Sequence, residues 1–141
     1  MISTRGRYAL RVMIDLAEHR NGAFIPMKEV AERQEISLKY IEKIMPVLTK
    51  SGLVEGAHGK GGGYRLKREP EDCTVWEVLR LTEGELAPVA CLEPEVNVCP
   101  RAHSCRTLPM WTEYYRMTRD FFGKITLAGL MSNESGGDYV I

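Results

Sequence analysis

The run Gln34-Glu-Ile-Ser-Leu-Lys-Tyr-Ile-Glu-Lys-Ile-Met-Pro-Val-Leu-Thr-Lys-Ser-Gly52 decides how this chain folds. Ser37 stands where a helix N-cap is wanted, and Ile41, Ile44, Met45 and Leu48 then fall on one face at about 100° per residue. Lys39, Glu42 and Lys43 point away from that stripe, with Tyr40 at its flank. Pro46 deprives the helix of one backbone bond and is expected to bend it near residues 42–46, and Ser51-Gly52 ends it. Just upstream, Gln34-Glu-Ile36 has a length that suits the turn of a helix-turn-helix.

Working outward, Ser3 or Thr4 can cap a first helix whose stripe is Ala9, Met13, Leu16 and Ala17, widened by Leu10 and Ile14 and stopped by Asn21-Gly22. Pro26 is placed to open a short second helix with Met27, Val30 and Ala31 turned inward. After the decisive run come two strand candidates, roughly 53–57 and 63–67, joined by a turn rich in Gly59, Gly61, Gly62 and Gly63. Thr74 caps a fourth helix using Val75, Val78, Leu79 and Leu81, closed near Gly84. Thr107 with Pro109 starts a long helix with the stripe Trp111, Tyr114, Tyr115, Thr118 and Phe122, and Thr126 caps a last short helix through Leu130. The expected fold is mainly α: a winged helix-turn-helix with a small two-stranded wing and a long C-terminal helix. It divides into a winged helix-turn-helix unit at 1–84, a cysteine loop at 85–106, the long and final helices at 107–131, and a tail at 132–141.

The charge distribution suits a polyanion partner and equally suits ordinary surface variation. The chain has 19 Lys+Arg and 19 Asp+Glu, but residues 1–67 hold 12 and 7 of them (+5) and residues 68–141 hold 7 and 12 (−5). No apolar run approaches the ~18 residues of a spanning helix, and the N-terminus lacks a signal-peptide pattern, so a cytoplasmic protein without a membrane partner is expected. No Ser/His/Asp or paired-carboxylate constellation is present, so an enzyme is not expected. Gly59-Lys-Gly-Gly-Gly63 lacks the strand–loop–helix order and the Lys-Ser/Thr of a nucleotide-binding loop.

In a winged helix-turn-helix the third helix enters the major groove of double-stranded DNA. Ser37 and Lys39 then sit at its N-terminal end, where phosphate is favoured, Tyr40 can donate its hydroxyl, and Lys43 lies one turn on. Glu42 can accept from cytosine N4 but repels phosphate, which makes it a discriminator. His58 and Lys60 occupy the wing tip, suited to the minor groove, and Arg65 returns along the strand. Taken singly, these lysines are ordinary solvated side chains; the order of the elements is what assigns them.

Three of the four cysteines, Cys91, Cys99 and Cys105, share fifteen residues in a C-x7-C-x5-C pattern. Thiolates ligate soft metals and iron–sulfur clusters and also serve as redox switches. Zinc is disfavoured because no C-x2-C pair occurs. Pro94 and Pro100 keep the loop from becoming helix. Cys73 reads as a small buried thiol, His19 as a helix C-terminal residue, and His103 as a solvated loop residue. Two alternatives stand beside a cluster-controlled DNA-binding protein: the same protein switched by thiol oxidation, and a small metal or redox protein that does not bind DNA.

Arg5-Gly-Arg-Tyr-Ala9, Glu35-Ile-Ser-Leu-Lys-Tyr-Ile-Glu42, Ser51-Gly-Leu-Val54, Gly61-Gly-Gly-Tyr-Arg-Leu66 and Ile125-Thr-Leu127 resemble the bacterial Rrf-two type winged-helix regulators, the family of IscR, NsrR, RirA and CymR. The resemblance covers about residues 1–131. It implies a homodimeric transcriptional regulator, joined through the long helix bearing Trp111 and Phe122, on a roughly palindromic operator. Ser37, Lys39, Tyr40 and Lys43 would grip the major groove, and His58, where relatives often carry Arg, the minor groove. Cys91, Cys99 and Cys105 match the ligands of an iron–sulfur cluster, 2Fe–2S or 4Fe–4S. The fourth ligand departs from the pattern: Leu108 replaces the histidine of IscR-like members and Arg7 the acid of NsrR-like ones. His103, Asp15 or a small-molecule ligand are the remaining candidates.

Overall fold

The computed structural model describes residues 1–93 and 99–131. Pro94 and the 132–141 tail therefore lie outside the described residues. Among the described residues there are six α-helices, of which α5 packs outside the core against α4: α1 (Thr4–Glu18), α2 (Met27–Gln34), α3 (Leu38–Lys50), α4 (Val75–Glu83), α5 (Leu108–Gly123) and α6 (Leu127–Leu130). Two antiparallel strands, β1 (Val54–Ala57) and β2 (Gly63–Leu66), follow α3, and short 3-10 turns cover Pro70–Asp72 and Ala90–Leu92.

Local chemistry sets most boundaries. Ser3, Ser37, Thr74 and Thr126 each accept a backbone N–H from the residue three positions on, which stabilises each helix start by about 1 kcal/mol. Pro26 is the N-cap of α2 rather than its first residue. The helix of α3 runs unbroken past Pro46 to Lys50. Thr107 differs from expectation: its side chain makes no cap bond, and its hydroxyl instead lies 3.5 Å from the Cys105 sulfur.

At the centre, Val12, Met13 and Leu16 of α1 meet Val30 of α2, Ile41, Ile44, Met45 and Leu48 of α3 and Val78 of α4, all fully or nearly fully buried. Leu127 of α6 closes the same core, its N–H donating to the Cys73 carbonyl while Val75 donates to Ile125. A helix-turn-helix thus rests on α1 and α4, with the wing beside it. Among the described residues, no helix is long and apolar enough to cross a membrane.

The wing is fastened to this body. Its register pairs Val54 with Leu66 and Ala57 with Gly63. Ile25, in the α1–α2 connection, adds a bridge by exchanging two backbone bonds with Tyr64 (2.8 and 2.9 Å). Gly63 is what admits it: at φ +148°, an added Cβ would stand 2.1 Å from the Ile25 carbonyl oxygen. Gly59 and Gly61, also at positive φ, face open space. The wing glycines therefore serve two purposes, an internal close approach and a bare tip.

Candidate nucleic-acid interface and cysteine loop

Residues on the reading end of α3 are placed as its periodicity requires. Ser37, Lys39, Glu42 and Lys43 are exposed, while Ile41, Ile44 and Met45 are buried beneath them. Tyr40 is half-buried, its ring meeting that of Tyr8 edge-on at 5.4 Å. The turn before it closes on Glu35, a non-glycine residue at φ +53°. At the wing tip, His58 and Lys60 are exposed. A cleft of about 480 Å³ between α3 and the wing is lined by Thr49, Lys50, His58 and Tyr64 among others.

Arg65 is placed differently from a free phosphate-gripping side chain. Its guanidinium bonds Glu55 across the hairpin at 2.6 Å and the Gly22 carbonyl at 2.7 Å, and it stacks over Phe24 at 4.2 Å. Cross-strand pairing with Glu55 and the nearby aromatic ring satisfy it internally.

The cysteine loop connects α4 to α5. Cys91 is exposed in the 3-10 turn, and Cys99 and Cys105 are half-buried, all three as free thiols. Cys105 lies just before α5. The bond with the Thr107 hydroxyl, helped by backbone N–H groups of Thr107 and Leu108, holds its thiol below the usual range. Cys73 is the opposite case, buried to 2% exposure and pushed up to about 11 by burial and then by Glu77.

Three thiols are the donor chemistry an iron–sulfur cluster uses, and in that respect these residues fit one. Among the described residues, however, no three His, Cys, Asp or Glu side chains are grouped to hold a metal ion. Asp15 is removed from the fourth-ligand candidates. It is fully buried within the helical body, and Arg33 and Gln34 occupy its carboxylate. Burial opposes its ionisation, but those hydrogen bonds outweigh it and leave the carboxyl below its ordinary value. His103 is exposed in the loop, and Arg7 is exposed and bonds Thr4.

The aromatic stripe of α5 divides into two faces. Trp111, Tyr115, Thr118 and Phe122 are half-buried, with Tyr115 edge-on to Trp76 and bonded to Glu85 at 2.5 Å. Met110, Tyr114, Met117 and Phe121 form a second face, 53–61% exposed. Sequence reading assigned Tyr114 to the first face and missed Met110, Met117 and Phe121. Their spacing of four, three and four residues was the available signal. It also missed the Asp15–Arg33 pair, although an acid between Val12 and Leu16 on a buried stripe requires a partner.

A three-helix unit whose third helix stands polar-side out beside a glycine-tipped hairpin is a winged helix-turn-helix, the class of DNA-binding regulators. The chain belongs to the Rrf2 family: residues 2–133 match the family profile described as "Rrf2: Iron-dependent Transcriptional regulator". It is 38% identical over 134 residues to Protein rrf2 of Nitratidesulfovibrio vulgaris (strain Hildenborough), spanning 95% of this chain and 89% of that one. Among solved structures it is similar to CymR, the global cysteine regulator of B. subtilis, with TM-score 0.73 and 32% identity over 92% of this chain and 95% of that one. It is similar also to T. potens IscR, with TM-score 0.71 and 32% identity over 92% and 85%. The family is one of transcriptional regulators, not enzymes, which sets aside the small metal or redox protein that does not bind DNA.

Proposed function

We propose that two copies of this chain bind a roughly palindromic DNA operator, and that an iron–sulfur cluster on Cys91, Cys99 and Cys105 controls that binding. The observation that carries the DNA-reading half is the Ser37-capped start of α3, with Lys39, Glu42 and Lys43 exposed beside the exposed wing tip His58 and Lys60. In this reading Ser37, Lys39, Tyr40 and Lys43 contact the major-groove strand edges and phosphates, and Glu42 discriminates between bases. His58 and Lys60 approach the minor groove. Arg65 braces the wing instead of touching DNA.

The exposed Met110–Phe121 face, with the groove of about 770 Å³ beside it, supports a dimer in which α5 packs against its twin. An iron–sulfur cluster would supply a link sensitive to oxygen, nitric oxide or iron supply. For their part, Cys91 follows α4 and Cys105 leads directly into α5, so a group held by Cys91, Cys99 and Cys105 bears on the dimer helix and, through it, on the spacing of the two reading helices.

A second reading keeps the regulator and replaces the cluster by thiol oxidation. It is favoured by Cys91 being an exposed free thiol and Cys105 carrying a loosened proton.

The DNA-reading half is tested by neutralising Lys39, Lys43 and Lys60 together. Loss of about three phosphate contacts lowers affinity and reduces the slope of log K against log salt by roughly 2–3. An unchanged affinity and slope would sink it.

A further inference from the structure

Tyr8 and Arg11 belong to α1, outside the helix-turn-helix, yet both reach its reading end. The Tyr8 ring meets the Tyr40 ring at 5.4 Å and 75°, and the Arg11 guanidinium lies over Tyr8 at 5.2 Å. Arg11 also donates from Nε to Gln34 Oε1 at 3.3 Å and from Nη2 to the Gln34 backbone carbonyl. Gln34 Nε2 in turn donates to Asp15 at 3.0 Å. Arginine only donates and a carboxylate only accepts, so the Gln34 amide has one orientation that satisfies both neighbours. The next residue is Glu35, held at φ +53°, which sets where Ser37 begins α3.

We infer that Tyr8 and Arg11 are positioning residues for operator recognition, fixing Tyr40 from one side and the Gln34–Glu35 turn from the other. The inference rests on the operator-binding proposal above. Its physical content is a separation of roles. Phosphate contacts from mobile lysines tolerate a small tilt of α3, whereas hydrogen bonds to base edges do not. Among the described residues nothing bonds the Tyr40 hydroxyl. Tyr40 is therefore a contact whose ring is fixed and whose polar end is free. A loosened Tyr8–Arg11 support costs selectivity before it costs non-specific binding.

The test uses the full chain and two duplexes, one enriched from a random library by the wild-type protein and one scrambled version of it. Tyr8→Leu and Arg11→Gln are expected to weaken binding to the enriched duplex by roughly fivefold to tenfold, as the loss of an aromatic or cation–π support implies. Binding to the scrambled duplex and the salt slope stay at wild-type values. Tyr8→Phe keeps the ring and restores selectivity. If Tyr8→Leu does not fold, Arg11→Gln carries the test, because Arg11 is exposed. A wild-type ratio of enriched to scrambled binding in the variants overturns the inference. So does a salt slope reduced by about one in Arg11→Gln, since that marks a direct phosphate contact. A wild-type chain that enriches no duplex removes the operator-binding proposal itself.

Discussion

Arg33 closes side-on on Asp15 with one edge of its guanidinium, Nη2 to Oδ1 at 2.7 Å and Nε to Oδ2 at 3.0 Å, and so ties α2 to α1 beneath the helix-turn-helix. Gln34 adds a further bond to the same carboxylate. Because the folded carboxyl lies below its ordinary value, its contribution is present above about pH 4 and is lost as pH falls through the folded value. Asp15→Asn is expected to cost about 2 kcal/mol at neutral pH. This is below the usual loss for a broken buried pair, because Arg33 is 32% exposed and can reach water. Urea unfolding at about pH 7 and about pH 3 checks this: the gap from wild type narrows at the lower pH.

The two kinds of wing glycine predict an order of damage. Gly63→Ala must displace the Ile25 backbone, so it costs roughly 2 kcal/mol or more and opens the Ile25–Tyr64 bridge. Gly61→Ala faces open space and costs roughly 1 kcal/mol. Thermal melts rank the two, and hydrogen exchange at the Ile25 and Tyr64 amides locates the difference. Equal effects would mean that the strand bridge contributes nothing.

The four thiols separate by environment. Iodoacetamide at about pH 8 is expected to label Cys91, Cys99 and Cys105 and to spare Cys73, read by mass spectrometry of the native chain. Thr107→Val slows labelling at Cys105 specifically, because it removes the hydroxyl bond that loosens the proton. The Cys73 thiol stays protonated in the fold up to about 11, above the usual 9.0. The unfolded thiol therefore ionises first, and stability declines as pH rises across that interval.

Why some of this was legible in the sequence and some was not follows from the range of the interactions. Ser37, Thr74 and Thr126 cap their helices as read because a cap needs only a neighbour three residues on. Ile41, Ile44, Met45 and Leu48 are buried as read because their period names one face. Thr107 makes no cap bond because its backbone is helical (φ −97°, ψ −15°) where the four residues that do cap are extended, and its hydroxyl faces the Cys105 sulfur instead. In α5 the period was visible, but two apolar faces share it, and only packing against Trp76 and Glu85 selects the inner one. The bracing contacts of Arg65 were not legible because Gly22 and Phe24 lie some forty residues upstream. Asp15 was offered to a metal for the same reason, since Arg33 reaches it only once α1 and α2 pack together.

The outward face of α5 predicts oligomeric state. Met117→Glu and Phe121→Glu together are expected to convert a dimer to a monomer in sedimentation velocity, since both side chains are about 60% exposed in the single chain. A wild-type chain that sediments as a monomer at micromolar concentration contradicts the dimer proposal.

The most direct test of the central claim is anaerobic purification of the full chain, with iron and sulfide counted per chain and DNA binding measured before and after cluster removal. Bound sulfide and visible charge-transfer absorption are predicted, both lost when Cys91, Cys99 and Cys105 are changed to Ser, together with a change in affinity for the enriched duplex on cluster removal. A chain that binds no sulfide after reconstitution, and whose DNA affinity is the same with and without iron, contradicts cluster control.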